Sequence, residues 1–306
     1  MNNIIVMGSY LVALVMDTDR IPIKGETLAG RNFRQVHGGK GSNQAVQAAR
    51  LGARVKFLGA VGNDSYGKSF LDLCSNEGID ATDVLISNRY PTGAGIIICG
   101  GGHNVITIDI GALNDFDESY ILSKKDRTGK GNVVLIQQEV PLKSALLAAK
   151  TAHDAGNRVI LNPAPAYNIS NEDLSFIDIL TPNETEARVC LGLSPTDPAS
   201  DEEIAERLLT LGCKNIVMTL GDKGCLISGQ CETTKVKPYR IPKVVDSTGA
   251  GDSFNAALAV ALTEGKTLTD AAHFANAAAA LSCTKADTIP SFPTRSEVES
   301  FMKNLK

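Results

Sequence analysis

The sequence predicts an α/β fold in which a mostly parallel central sheet carries helices on both faces and a small β flap stands outside it. Three observations lead there. Short β-branched runs alternate with helical ones along most of the 306 residues, the order expected when crossover helices join parallel strands. Glycines sit where those helices would end, at Gly52, Gly78, Gly156, Gly192 and Gly212, and a left-handed cap favours glycine there. Two further segments break the rhythm and lack helical period.

From the N-terminus, "NIIVMGS" reads as a strand and "NQAVQAARLGA" as a helix returning over the sheet. "RVKFLGAV" reads as the next strand and "GKSFLDLCSNEG" as a short helix. Where these two meet, residues 62–69, "GNDSYGKS", match the phosphate-loop spacing of Gly, four residues, Gly-Lys-Ser. Chemistry argues against the match. Asp64 and the bulky Tyr66 suit poorly a loop that must wrap phosphate in backbone N–H groups, and no second acidic strand end offers a magnesium partner. The alternation then resumes through "VVLIQQ", "LKSALLAAKTAHDAG", "RVILNPAP", "DILTPN", "ETEARVCLG", "EEIAERLLTLGC", "NIVMTLG" and "KGCLISG". The exceptions are "YLVALVMDTDRIPIKGETLAG", with Pro22 and Gly25, and "GAGIIICGGGHNVITIDIGA", a hairpin pattern turning at "GGGHN". About residues 10–36 and 91–113 are therefore expected to form a β lid on one domain spanning 1–306.

Composition excludes several classes. A net charge of −4 gives no electrostatic reason to expect nucleic acid or an anionic membrane as partner. The seven cysteines (Cys74, Cys99, Cys190, Cys213, Cys225, Cys231 and Cys283) are odd in number and scattered, with no C-x-x-C pair, which speaks against a disulfide framework or structural zinc. Cys99 and Cys283 lie in apolar runs and read as buried packing. His37, His103, His153 and His273 stand in unrelated contexts and do not read as metal ligands. No basic-then-apolar leader opens the chain, so a cytoplasmic enzyme is expected.

The chemistry concentrates in four Gly-rich or polar turns. In "VDSTGAGDSFN" a strand leads into a turn where Gly249, Ala250 and Gly251 have almost no side chain. The following helix thus starts with bare N–H groups and the positive end of its dipole facing outward. Asp252 stands beside them. An anion hole next to a carboxylate is what phosphoryl transfer to an alcohol requires, although an N-cap Asp after a Gly turn would read the same way. In "HGGKGSNQAV", Gly38, Gly39 and Gly41 allow a close approach of backbone to ligand, and Lys40, Ser42 and Asn43 offer polar contacts. "TPNETE" sets Asn183 and Glu186 three apart at a helix start, a spacing that suits joint work on a metal's waters and equally suits a capping box. "TLGDKG" follows a buried-looking strand with two glycines against which a triphosphate could lie.

Taken in order, "GGKGSNQAVQAARLGA", "VGNDSYG", "LNPAPA", "TPNETEA", "VMTLGDKG" and "VDSTGAGDSFNAAL" resemble the ribokinase-like (PfkB) carbohydrate kinase family over nearly the whole chain. The resemblance implies the ribokinase-like three-layer fold with a protruding β lid, often packed lid to lid in a homodimer. It implies ATP-dependent phosphorylation of a sugar's primary hydroxyl, with Mg2+ and K+ as cofactors. By position, Asp252 matches the family's catalytic base, and Gly249, Ala250 and Gly251 its anion hole. Asn183, Thr219, Leu220, Gly221, Asp222, Lys223, Gly224, Gly251 and Asn276 match ATP contacts. Glu186 matches the residue that holds magnesium through water. Gly39, Lys40, Gly41, Ser42, Asn43, Glu139 and Asp252 match sugar contacts. Asp246, Thr248, Ser282, Lys285, Asp287 and Ser291 match the monovalent-cation site.

Four positions depart from the family pattern. Leu11 and Ala13 stand where the "GSxNxD" motif has the Asn and Asp that bind sugar hydroxyls. Leu113 replaces Asn in "GAN", and Asp287 occupies a usual Gly place in the cation loop. The expectation is intact phosphoryl-transfer machinery acting on a pentose, ribose or a less polar deoxy relative. A nucleoside kinase of the same family and a non-catalytic sugar-binding relative remain as alternatives.

Overall fold

The computed structural model describes residues 3–229 and 233–304; Cys231 lies outside the described residues. The chain runs β1 (Asn3–Met7), β2 (Leu11–Thr18), β3 (Arg31–Gly38), α1 (Lys40–Arg50), β4 (Arg54–Leu58), β5 (Ala60–Gly62), α2 (Ser65–Asn76), β6 (Leu85–Ser87), β7 (Ala94–Gly100) and β8 (His103–Asp109). A 3₁₀ turn at Gly111–Asp115 leads to α3 (Glu118–Ser123), β9 (Val133–Gln137), α4 (Leu142–Asp154), β10 (Arg158–Asn162) and β11 (Ile179–Leu180). Then come α5 (Glu184–Cys190), α6 (Asp201–Leu209), β12 (Asn215–Thr219), β13 (Cys225–Gly229), β14 (Thr233–Val236), α7 (Ala250–Thr263), α8 (Leu268–Ser282) and α9 (Arg295–Asn304).

Eight strands form the central sheet in the order β14-β13-β12-β11-β10-β9-β1-β4. The pairs from β12 to β4 are parallel, and β13 and β14 add an antiparallel edge. Strand alternation divides the interior into two cores. Ile4, Val6, Val133 and Leu135 pack with apolar residues of α1, α2, α7 and α8, while Ile5, Met7, Val134 and Ile136 pack with those of α3, α4, α5 and α6. The result is the three-layer architecture expected from the sequence. The predicted cap glycines all adopt positive φ, from 68° at Gly78 to 104° at Gly212.

Four strands, ordered β3-β2-β7-β8, form a second sheet outside the first. Its outer strand β8 is exposed along its whole length. Ile96, Val105, Ile106 and Ile108 are roughly half exposed there, an apolar surface that a lone sheet rarely leaves uncovered. Cys99 in this sheet and Cys283 at the end of α8 are half-buried. The expectation of buried packing was wrong for both: the thin sheet and a helix C-cap do not enclose a side chain as a three-layer core does. The six described cysteines are free. Among the described residues no helix is long and apolar enough to cross a membrane.

The parallel strands end at one edge of the sheet, and α1 and α7 both begin there. Alanine lets α7 and α8 approach closely. Ala256, Ala257, Ala259 and Ala261 of α7 and Ala271, Ala275 and Ala278 of α8 are all fully buried. Ala257→Leu is expected to overpack this layer and lower unfolding free energy by about 1–3 kcal/mol, read as a fall in the urea midpoint with an unchanged slope.

Candidate active site

Helix α7 starts at a side-chain-poor turn for two geometric reasons. Gly249, its N-cap, is left-handed at φ 81°, and a Cβ there would lie 2.4 Å from Thr288 Cγ2. No other residue satisfies both constraints. The Ala250 N–H is donated to the Ser247 carbonyl at 3.1 Å. The Gly251 and Asp252 N–H groups have no acceptor among the described residues, and a Cβ on Gly251 would meet nothing within 4 Å. Of the three expected donors only Ala250 is used; the Gly249 N–H, like those of Gly251 and Asp252, has no acceptor among the described residues.

Asp252 does not cap this helix, so the ordinary N-cap reading falls. It lies in the first turn, 6% exposed, and its carboxylate reaches across to α1. Oδ2 accepts from Asn43 Nδ2 at 2.9 Å and Oδ1 from Gln44 Nε2 at 3.0 Å. Gln44 was not anticipated. It also donates to Asn162 Oδ1 at 3.2 Å and accepts from Gln137 Nε2 at 2.6 Å. Asn162 Nδ2 donates to the Thr181 carbonyl, Thr181 Oγ1 to Asn255 Oδ1 at 2.5 Å, and Asn255 Nδ2 to the Gly251 carbonyl. This buried network ties the ends of β9 and β10 to both helix starts. The available signal was a polar residue closing an apolar strand, as in "LIQ" and "ILN".

The turn before α1 packs tightly against the backbone of Ser9–Leu11. Cβ atoms on Gly39 and Gly41 would lie 2.8 Å and 2.5 Å from the Leu11 and Ser9 backbone nitrogens. Ser42, fully buried, donates its hydroxyl to the Gly38 carbonyl at 2.7 Å. The Ser42 hydroxyl is thus taken up within the turn, while Gly39 and Gly41 let its backbone lie against Ser9–Leu11. Asn43 does reach the site, and its Oδ1 is buried without a partner among the described residues. Glu139 Oε2 accepts from Ser9 Oγ at 2.5 Å and from the Lys40 N–H at 2.7 Å. Burial pushes the Glu139 carboxyl above its ordinary pKa, against the pull of Lys40 and Ser9. Burial also disfavours the Lys40 ammonium, yet Asp252, Glu139 and Glu186 together raise its pKa. One cation thus answers three acids.

Beside Gly251 lies a groove of about 380 Å³. It is lined by Asn183, Thr219, Gly221, Gly224, Ala250, Gly251, Phe254 and Asn276. Of the expected nucleotide contacts, Leu220 is buried, Asp222 is exposed, and Lys223 pairs with Glu184 at 3.4 Å. Asn276 Nδ2 is committed to the Lys237 carbonyl at 3.1 Å. Asn183 and Glu186 form a full capping box on α5, and Asn183 also bounds the groove. The capping reading of this pair is therefore the one the geometry displays. Burial raises the Glu186 carboxyl pKa, against the Asn183 backbone N–H and Lys40. No cluster of three metal-ligating acids, histidines or cysteines occurs among the described residues. A magnesium ion would fit here mainly on nucleotide phosphates and water, with Glu186 nearby.

The cation-loop residues come together where the segment before α7 meets the segment that follows α8. The Val245 and Asp246 N–H groups donate to the Cys283 carbonyl, and Asp246 accepts from the Thr248 and Asp287 N–H groups at 2.9 and 3.2 Å. Ser282 and Ser291 hydroxyls donate to the Ala279 and Thr288 carbonyls, and Lys285 pairs with Glu297 at 3.3 Å. Asp287 is left-handed at φ 64°. Its carboxylate lies 3.9 Å from Arg34 of the second sheet, an exposed pair that contributes little. Leu11 is buried, Ala13 half-buried and Leu113 fully buried.

Comparison with known proteins agrees with this geometry. Residues 1–295 match the model of the pfkB family carbohydrate kinases. The ribokinase of Haemophilus influenzae is 38% identical over 300 residues, covering 98% of each chain. The solved ribokinase of Thermotoga maritima superposes with TM-score 0.91 at 35% identity, covering 99% of this chain and 100% of that one. Arabidopsis thaliana ribokinase, solved with ribose and ATP, gives TM-score 0.86 at 31% identity over 99% of each chain. A helix mouth with bare amides, a buried acid and a groove on this fold define a phosphotransferase with an alcohol acceptor. The chain belongs to the pfkB family of carbohydrate kinases.

The raised carboxyls carry a stability consequence. Glu139 and Glu186 both titrate above their ordinary value, so from about pH 4.3 up to their raised pKa the native state holds more protons than the unfolded chain. Stability then falls as pH rises through that window. Glu139→Gln removes one contributor and is expected to flatten the fall, measured by urea unfolding between about pH 4 and 7.

Proposed function

We propose that the enzyme transfers the γ-phosphoryl group of ATP to the primary hydroxyl of a pentose, ribose or a less polar relative. The observation that carries this is the Asp252 carboxylate, fixed by Asn43 and Gln44 beside two unpaired amides at the start of α7. Asp252 takes the hydroxyl proton while the Gly251 and Asp252 N–H groups neutralise charge on the moving phosphoryl. ATP lies in the groove beneath Thr219, Gly221 and Gly224, its adenine toward Asn276; the plant relative was solved with ribose and ATP. Bound magnesium supplies further charge neutralisation, with Glu186 and Asn183 organising its surroundings. Asn43 Oδ1 and Glu139 are the acceptors left for sugar hydroxyls. A monovalent cation, K+, is proposed to sit in the loops around Asp246 and Ser291.

The four-stranded sheet is read as a lid that excludes water, the competing acceptor. Its exposed isoleucines support packing against a second copy of the chain. The apolar Leu11 and Ala13 favour a sugar with fewer hydrogen-bonding groups. A lost hydrogen bond to a charged group costs about 1.5–3 kcal/mol, so ribose would bind on the order of a hundredfold less tightly than with Asn and Asp there. A non-catalytic binder has no need of the Asp252 clamp.

An ATP-consumption screen over pentoses, deoxypentoses, hexoses and nucleosides, run in potassium and in tetramethylammonium salts, tests the assignment. A pentose or deoxypentose is expected to turn over fastest, and faster in potassium. Asp252→Asn is expected to lose at least about a hundredfold in kcat. A nucleoside as best acceptor would favour the alternative kinase, and no turnover with any acceptor would overturn the proposal. Leu11→Asn with Ala13→Asp should lower the KM for ribose; no change would refute the specificity argument.

A further inference from the structure

The "GNDSYGKS" stretch holds no phosphate loop, since α2 begins at Ser65 directly behind Asp64. Its geometry points to another task. Asp64 Oδ1 accepts the Gly67 N–H at 2.8 Å, an ordinary N-cap bond. The same oxygen accepts the Thr92 hydroxyl at 2.7 Å, and Oδ2 accepts the Thr92 N–H at 2.7 Å. Thr92 Oγ1 accepts the Gly62 N–H at 2.9 Å, so the buried Thr92 is fastened to the body on two sides. Part-burial disfavours the charged carboxylate, but the bonds from Thr92 and Gly67 outweigh it and hold its pKa below the usual range.

Residues 91–93 are where the second sheet joins the main body. β7 begins at Ala94. The Gly93 carbonyl accepts the Val12 N–H of β2 at 2.9 Å, and the Pro91 carbonyl accepts the Ala112 N–H beyond β8 at 2.7 Å. A cap alone needs one of the three bonds that Asp64 makes. We propose that Asp64 is a positioning residue that pins this hinge to the first turn of α2 and so sets how the four-stranded sheet covers the sugar. The proposal rests on reading that sheet as a lid.

Three variants of the full chain separate hinge from cap. Asp64→Ser keeps an oxygen for the Gly67 N–H but is too short to reach Thr92. Thr92→Val removes the hydroxyl alone. Asp117→Ser makes the same exchange at the N-cap of α3, where the carboxylate accepts the Tyr120 N–H. Amide hydrogen exchange is followed in each protein with and without ribose, alongside KM and kcat for the sugar the parent uses best. Asp64→Ser is expected to speed exchange at 91–93 and along β2, β7 and β8 by about tenfold or more. It should raise sugar KM by about tenfold with kcat nearly unchanged. Thr92→Val should move both in the same direction by less, and Asp117→Ser should move neither. If Asp64→Ser matches Asp117→Ser in exchange, or loosens the hinge without raising the KM of an active parent, the proposal is overturned. A parent that turns over no sugar defeats the kinase reading instead, and exchange at the hinge still decides this one.

Discussion

The structure turns on one charged contact: a carboxylate at the mouth of α7 gripped by two neutral amides from α1. A buried acid without partners would be forced toward its neutral form or outward to solvent. Asn43 donates a hydrogen bond to Oδ2 of Asp252 and Gln44 one to Oδ1, which fixes the carboxylate's orientation. Because the two donors are consecutive residues in the first turn of α1, the grip also fixes the two helices relative to each other. Their positive ends then point toward a common space.

Gln44 extends that grip into the sheet. Its other contacts are Gln137 and Asn162, the last residues of β9 and β10. Chains of buried amides of this kind hold one arrangement well because each member has few alternative partners. They also explain why apolar strands end in polar residues here. A leucine at 137 or 162 would fill the volume and leave Gln44, and through it the Asp252 carboxylate, without a fixed orientation. The Gly turn before α1 belongs to the same design, since only residues without Cβ atoms at 39 and 41 let it lie so close over Ser9–Leu11.

Much of the fold could be read from the sequence because its signals are periodic. Strand alternation in "NIIVM" sends Ile4 and Val6 to one core and Ile5 and Met7 to the other, and the helix-ending glycines declare themselves by position. The turn chemistry of "STGAGD" was equally plain, since three small residues before an acid leave amides bare. Less legible were features that depend on distant partners. Nothing in "SNQAV" says that Gln44 meets Asp252 rather than solvent, because the contact spans 208 residues of sequence. The same limit applies to Ser42, whose hydroxyl looks available in the sequence but closes a local turn. It also hid the burial of Leu113, which lies in the core with Phe116 and Tyr120.

That last placement bears on how specificity can drift while chemistry stays fixed. Of the three apolar replacements, Leu113 is enclosed and alters packing, whereas Leu11 and Ala13 lie on β2, at the base of the second sheet. The groups proposed for phosphoryl transfer are on α1, α5 and α7, anchored to the ends of the central sheet. A change on β2 therefore leaves the amide network untouched, since none of its members belongs to that strand. Leu11 packs against Gly93, with its Cδ2 in the space a Cβ there would need, and so needs no hydrogen-bond partner where an asparagine would. The fold can exchange a polar residue for an apolar one at the sheet's base because a separate set of elements carries the groups proposed to react.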